Sequence, residues 1–136
     1  MATKLKLEIV TPEERTYSEE VDYVELPGRK GDMGVYPNHV PLLTEIVPGE
    51  LKALREGQEF LLAVGNGIVE ITGGAVSVLT DMAVREADID EAAVEAAIKR
   101  AEHAMSEKLS AEESATVQAT LLKSLAQLKV KRRKRH

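Results

Sequence analysis

The chain has 136 residues, 43% apolar and 30% charged, with a net charge of −5, which suits one soluble domain and an appendage. It has no cysteine, which excludes disulfides and thiolate metal sites, and no apolar run approaches the ~20 residues of a membrane span. With no tryptophan and an aromatic share of 3%, its core must be built from Val, Ile, Leu and Ala. The first residues carry no signal-peptide core, so the chain is expected to stay in the compartment where it is made. Leu5, Leu7 and Ile9 alternate with Lys4, Lys6 and Glu8, which predicts a first strand with one buried face. Thr11-Pro12-Glu13-Glu14 reads as a turn, and a second strand is expected from Arg15. Val21, Tyr23 and Val24 to Leu26 are expected to form a third, with a bulge or a two-sided burial at Tyr23-Val24. Residues 27–34 read as one long glycine-rich turn.

Residues 31–50, GDMGVYPNHVPLLTEIVPGE, are dense in Gly and Pro and yet contain β-prone apolar pieces. Pro37, Pro41 and Pro48 each fix φ and remove a donor, so short strands joined by rigid turns are expected, with Asn38 and His39 at a corner. A corner this stiff suits a docking surface, because its shape is set before a partner arrives. Further strands are expected around Leu51 to Leu54, Glu59 to Val64, Ile68 to Ile71 and Val76 to Leu79, with Asp81 as a stop. Gly65-Asn66-Gly67 and Gly73-Gly74 mark the turns between them. Short strands at nearly regular spacing predict an antiparallel β-sandwich, or flattened barrel, over residues 1–86. No spacing admits crossover helices, so parallel pairing is not expected.

From Glu86 onward Gly and Pro vanish and alanine rises. Asp88, with Glu91 three residues on, is the expected cap of a first helix, running to about Leu109. Its apolar stripe includes Ile89, Ala92, Ala93, Ala96, Ala97, Ala101, Ala104 and Met105. Ser110 and Glu113 form a second capping box, which opens a helix carrying Ala115, Ala119, Leu122, Leu125 and Ala126. Residues 87–136 are therefore expected to form an antiparallel α-helical hairpin. Its seam is mostly alanine, which buries little area at roughly 25 cal/mol per Å2. Such a hairpin docks marginally, which is the condition for a two-state element.

The match of GDMGVYPNHVPLLTEIVPGEL, residues 31–51, to a family signature carries a resemblance to the epsilon subunit of the F-type ATP synthase. Leu79-Thr80-Asp81 and Asp88-Ile89-Asp90-Glu91 add to it, and the resemblance runs from Leu5 to about Val130. It implies a non-catalytic part of the central stalk. In the family the sandwich binds the gamma subunit and rests on the c-subunit ring. The hairpin can extend into the alpha/beta catalytic head and block ATP hydrolysis. The implied location is the cytoplasmic face of a bacterial plasma membrane, held there through the complex, with the stromal face of a thylakoid as the alternative. No cofactor, metal or nucleic acid is implied. A rival reading is a free-standing regulator whose basic tail binds nucleic acid or anionic membrane.

The resemblance assigns Arg29, Lys30, Gly31, Asp32 and Met33 to the c-ring contact; without it, this loop is a solvated turn. It assigns His39, Leu42 and Thr44 to the gamma contact, against a corner histidine bonded to backbone. The three histidines have no ligand spacing between them. The basic end, Lys129, Lys131, Arg132, Arg133, Lys134 and Arg135, is expected to meet an acidic loop of beta, and otherwise is a solvated helix end favoured by the dipole. Some family members bind ATP through an aliphatic residue, Asp, two variable residues, Arg and Ala. Here Ile89 and Asp90 match, but Ala93 stands at the arginine position and Val94 at the alanine position. Arg100 is the nearest substitute cation. A phosphate needs a cation or a row of donors, so ATP binding is not expected, and Asp90 reads as a helix-capping carboxylate.

Overall fold

The computed structural model describes residues 3–133. Ten strands precede two helices: β1 (Leu5–Val10), β2 (Arg15–Val21), β3 (Tyr23–Gly28), β4 (Gly31–Val35), β5 (Leu42–Ile46), β6 (Gly49–Arg55), β7 (Gln58–Val64), β8 (Gly67–Ile71), β9 (Ala75–Thr80) and β10 (Ala83–Arg85). A 3-10 turn (Glu86–Asp88) leads to α1 (Glu91–Met105) and α2 (Ala111–Arg133). The strands run in the order β10-β7-β6-β3-β5-β8-β9-β1-β2, with β4 on the other side of β3. The two halves of this sheet meet at one residue pair, Gly28 and Ile46, and fold over each other.

The alternation of β1 works as its residues require. Leu5, Leu7 and Ile9 are fully buried, and they meet Val76 and Val78 from β9, Val69 and Ile71 from β8, and Val24, Leu26, Leu51 and Leu62 from the other half. Two expectations are corrected. β1 pairs with β9 in parallel, because the chain returns to the first strand only after wrapping around the sandwich, so no crossover helix is needed. Residues 27–34 are not one long turn: β3 and β4 stay paired out to Gly28 and Gly31, and the turn is only Arg29-Lys30. The alternation slip at Tyr23 is a strand boundary, since Val21 closes β2 and Asp22 separates it from β3; the register irregularity lies instead at Ile9/Val10.

Asp90, not Asp88, caps α1: its Oδ1 accepts from the Ala93 N–H at 3.1 Å, while Asp88 sits in the preceding 3-10 turn. Asp90→Ala is expected to cost about 1 kcal/mol of helix stability, read as faster amide exchange in the first turn of α1 alone. α1 ends at Met105, short of Leu109. The second capping box forms as expected, with Ser110 and Glu113 exchanging two 3.1 Å hydrogen bonds. α2 packs on β6 and β7, and α1 packs chiefly on α2. The buried helix residues are Val94, Ala101, Ser124, Ala126 and Val130, whereas Leu122, expected on the stripe of the second helix, and Leu125 beside it are exposed.

Candidate functional sites

Three surfaces carry the residues singled out from the sequence. The first is the tip of the β3–β4 hairpin. Gly31 adopts φ +124°, a conformation open to glycine, and its carbonyl lies 2.7 Å from where a Cβ on Gly28 would sit. Both glycines are thus needed for so tight a turn. Arg29, Lys30 and Asp32 are exposed at its end, and Arg29 pairs with Glu45 on β5. Met33 is half-buried, turned back over Gly28 and onto the core. A groove of about 580 Å3 runs between this tip and Leu43, Thr44 and Glu45.

The second surface is the sandwich end and outer face around β5. Asn38 holds the corner at φ +68°, and its N–H donates to the Gly73 carbonyl at 2.7 Å. His39 Nδ1 lies 2.6 Å from the Val40 carbonyl, so the ring is bonded to backbone and donates through Nδ1. The β5 register sends Leu42 and Thr44 to the side of buried Ile46, opposite Ile71 and Val69. Leu42 remains 42% exposed at the end of the sandwich. Leu43 points the other way. Across four strands the outward row reads Glu45, Ile68, Leu79 and Val10 in register. Leu43, Ile68 and Leu79 are 68, 51 and 60% exposed. A groove of about 440 Å3 beside Ile68 and Leu79 is lined by Val10, Pro12 and Asn66. The sequence reading missed Ile68 and Leu79 as a surface, although their same-face neighbours two positions away, Asn66 and Glu70 beside Ile68 and Ser77 and Asp81 beside Leu79, are polar.

The third surface is where the hairpin lies on the sandwich. Thr80 Oγ1 accepts from the Gly65 N–H at 3.2 Å and donates to the Asn66 carbonyl at 2.9 Å, which fixes the turn that presents Asp81. Gly65 leaves room for the Asp81 carboxylate, which would stand 2.0 Å from a Cβ there. Along α2, Lys123, Gln127 and Lys131 recur every fourth residue. They reach Asp81 at 2.9 Å, Met82 Sδ at 3.3 Å and the Glu86 carboxylate at 3.4 Å. Beneath them Val130 is fully buried among Leu61, Ala63, Ile89 and Val94. The basic end is therefore not a free tip. Arg132 pairs with Glu95 of α1 at 3.0 Å, and Arg133 pairs with Glu50 of β6. Lys129 is exposed, and Lys134 and Arg135 lie outside the described residues.

Ile89 is buried beneath the hairpin and Asp90 is the α1 cap, so both have structural tasks. Arg100 is exposed, beside the seam of Ala97, Ala101 and Val117 and a full helical turn or more from Asp90. Among the described residues, no group of three or more His, Cys, Asp or Glu side chains is placed to hold a metal ion. No described helix is long and apolar enough to cross a membrane.

This architecture, a ten-stranded sandwich with a helical pair on one side, is that of ATP synthase delta/epsilon chains. The model of the "ATP synthase, Delta/Epsilon chain, beta-sandwich domain" matches residues 4–86, and the chain belongs to this family. Within it, the curated relatives are epsilon chains, the non-catalytic kind of subunit. The chain is 42% identical to the ATP synthase epsilon chain of Laribacter hongkongensis over 127 residues, covering 92% of this chain and 91% of that one. It is also 42% identical to the epsilon chain of Bordetella avium over 137 residues, covering 99% and 96%. Among solved structures, a chain of the Euglena gracilis mitochondrial ATP synthase superposes with a TM-score of 0.80 at 21% identity, covering 95% of this chain and 81% of that one. A chain from the central stalk and c-ring of the Tetrahymena thermophila mitochondrial enzyme gives 0.62 at 16% identity, covering 93% and 98%. At these identities the likeness is one of fold.

Proposed function

We propose that the chain works as a central-stalk subunit that couples c-ring rotation to the catalytic head and restrains ATP hydrolysis through its C-terminal hairpin. The near-full-length identity to bacterial epsilon chains carries this reading. Residues 1–86 form the coupling unit and residues 87–136 the regulatory one. The tip formed by Arg29, Lys30, Gly31, Asp32 and Met33 meets the polar loops of the c ring. Its tight turn and exposed charges support that role, since a rigid charged tip registers on a polar ring with little ordering cost. Gamma is met at the sandwich end by His39, Leu42 and Thr44, and on the outer face by Leu43, Ile68 and Leu79. The complex holds the subunit at the cytoplasmic face of a bacterial plasma membrane.

For inhibition the hairpin leaves the sandwich and its basic end meets the acidic surface of beta. The first ten residues of α2 are mostly exposed, and only the second half of the helix is anchored. Release therefore costs few buried contacts. The deciding measurement is ATP hydrolysis by the purified catalytic head with the full chain and with a chain ending at Glu86. The full chain is expected to inhibit and the shortened one not, while both bind gamma. Binding by both without inhibition by either would remove the regulatory half of the reading. If neither binds, the free-standing module becomes the better account.

A further inference from the structure

We propose that Glu50, a carboxylate enclosed beneath the last turn of α2, sets how firmly the hairpin is docked, as a poised ion-pair latch with Arg133. Glu50 is the second residue of β6, opposite fully buried Ala63, which itself packs in the cluster around Val130. The Glu50 side chain is only 6% exposed, whereas Arg133 is 47% exposed. Oε1 takes the Arg133 guanidinium, and Oε2 is buried with no hydrogen-bond partner. The other links of the hairpin differ in kind. In Lys123–Asp81, Lys131–Glu86 and Arg132–Glu95 every side chain keeps more of its surface in water than Glu50 does. Exposed pairs such as Lys123–Asp81 and Arg132–Glu95 contribute little. Of these four links, Glu50 is the carboxylate most fully taken out of water in the docked state.

A buried carboxylate with one oxygen unsatisfied loses more hydration than one guanidinium returns, so a neutral isostere in its place docks more firmly. Removing the guanidinium while leaving the carboxylate does the reverse. Burial pushes the Glu50 carboxyl above the ordinary glutamate range, and Glu25 on β3 adds to this, against the opposing pull of Arg133 and Lys129 on α2 and Lys52 on β6. Undocked, Glu50 faces water and returns toward its ordinary value. A group whose docked value is raised supports docking fully below the undocked value and loses that support as pH rises through the docked value. The contribution of Glu50 to docking is therefore greater in acid. A simple surface ion pair has the opposite dependence, because acid breaks it.

The chain has no cysteine, so a spin-label pair on Lys108→Cys and Glu70→Cys reports the hairpin–sandwich distance in the isolated full chain. At a urea concentration that populates both distances, Glu50→Gln is expected to raise the docked-to-undocked ratio about threefold or more. It should also flatten the pH dependence. Arg133→Ala is expected to lower the ratio about tenfold. A drop in docking with Glu50→Gln, or no change with either variant, overturns the proposal. The pH dependence gives a second test: from pH 4 to 8 the docked-to-undocked ratio of the unsubstituted chain, taken relative to that of Glu50→Gln, is expected to fall, and a relative rise overturns the proposal as well. The catalytic head is absent from this experiment. Its outcome therefore stands apart from whether the hairpin inhibits hydrolysis.

Discussion

Val130→Asp is expected to detach the hairpin while leaving the sandwich folded. Val130 is fully buried, and it is the point where α2 meets Leu61 and Ala63 of β7 and Ile89 and Val94 at the start of the hairpin. Even Val130→Ala removes two methyl groups, roughly 1.6 kcal/mol at ~0.8 kcal/mol per buried group, or about a fifteenfold shift in the docking equilibrium. An aspartate adds the cost of a desolvated charge, and the neighbouring Glu50 and Glu86 carboxylates repel it. The main core, from Leu5 to Val78, contains no residue of the hairpin, so it loses nothing. In the spin-label measurement the short distance should disappear, while amide exchange of β1, β8 and β9 stays at its unsubstituted rate. Loss of protection in those strands would mean that hairpin and sandwich fold as one cooperative unit, and that docking is not a separate equilibrium. With the catalytic head present, a detached hairpin is expected to inhibit more strongly, the reverse of truncation at Glu86.

The strands were legible because one face of each is buried and the other wet, so Leu5-Leu7-Ile9 or Val76-Val78 could be placed from alternation alone. Pairing direction was not. That β9 lies parallel to β1 depends on where the chain ends up after eight strands, and no local spacing records it. The capping box at Ser110 was legible because both partners lie within four residues. The α1 cap was displaced from Asp88 to Asp90 because Glu86–Asp88 closes a 3-10 turn before the helix starts. An alanine stripe signals a helix but not which alanines meet a neighbour. Ala92, Ala93 and Ala96 are exposed, and burial falls instead on Val94, Ala101 and Ala126.

The basic end shows the limit most clearly. Clustered Lys and Arg read as a free, attractive tip, and the carboxylates that occupy them lie 37 to 83 residues earlier in the chain. Three of the residues assigned to an external acidic partner, Lys131, Arg132 and Arg133, are thus also paired within the docked chain. Lys131 and Arg133 cannot serve both at once. In the proposed inhibitory state an acidic surface on the catalytic head would compete with Glu86 and Glu50 for the same cations, and the transfer would exchange one set of ion pairs for another. Its net free energy is small, so modest changes in salt or in Glu50 tip it.

Ile68→Asp together with Leu79→Asp is expected to abolish binding to gamma at almost no cost to the fold. The two side chains face each other across β8 and β9, 51 and 60% exposed, with the main core on the opposite face of the same strands. Exposed substitutions away from buried groups usually change stability by about 0.5 kcal/mol or less, although two carboxylates placed opposite each other add some cross-strand repulsion. At an interface the same changes desolvate two charges against an apolar partner, and central apolar residues commonly cost about 2 kcal/mol or more each. Their product is a loss of binding of about a thousandfold by the 1.4 kcal/mol per decade conversion. Gamma binding by titration calorimetry, beside thermal unfolding of the free chain, separates the two effects. Glu59→Ala, exposed on β7 in the other half of the sheet, serves as the control and should leave gamma binding unchanged. If the double variant binds gamma normally, the outer row is not the gamma face, and the partner must be met at the sandwich end by His39 and Leu42. If it binds weakly because it has unfolded, the melting curve will say so, and Ile68→Ala, which removes the contact without adding charge, then decides.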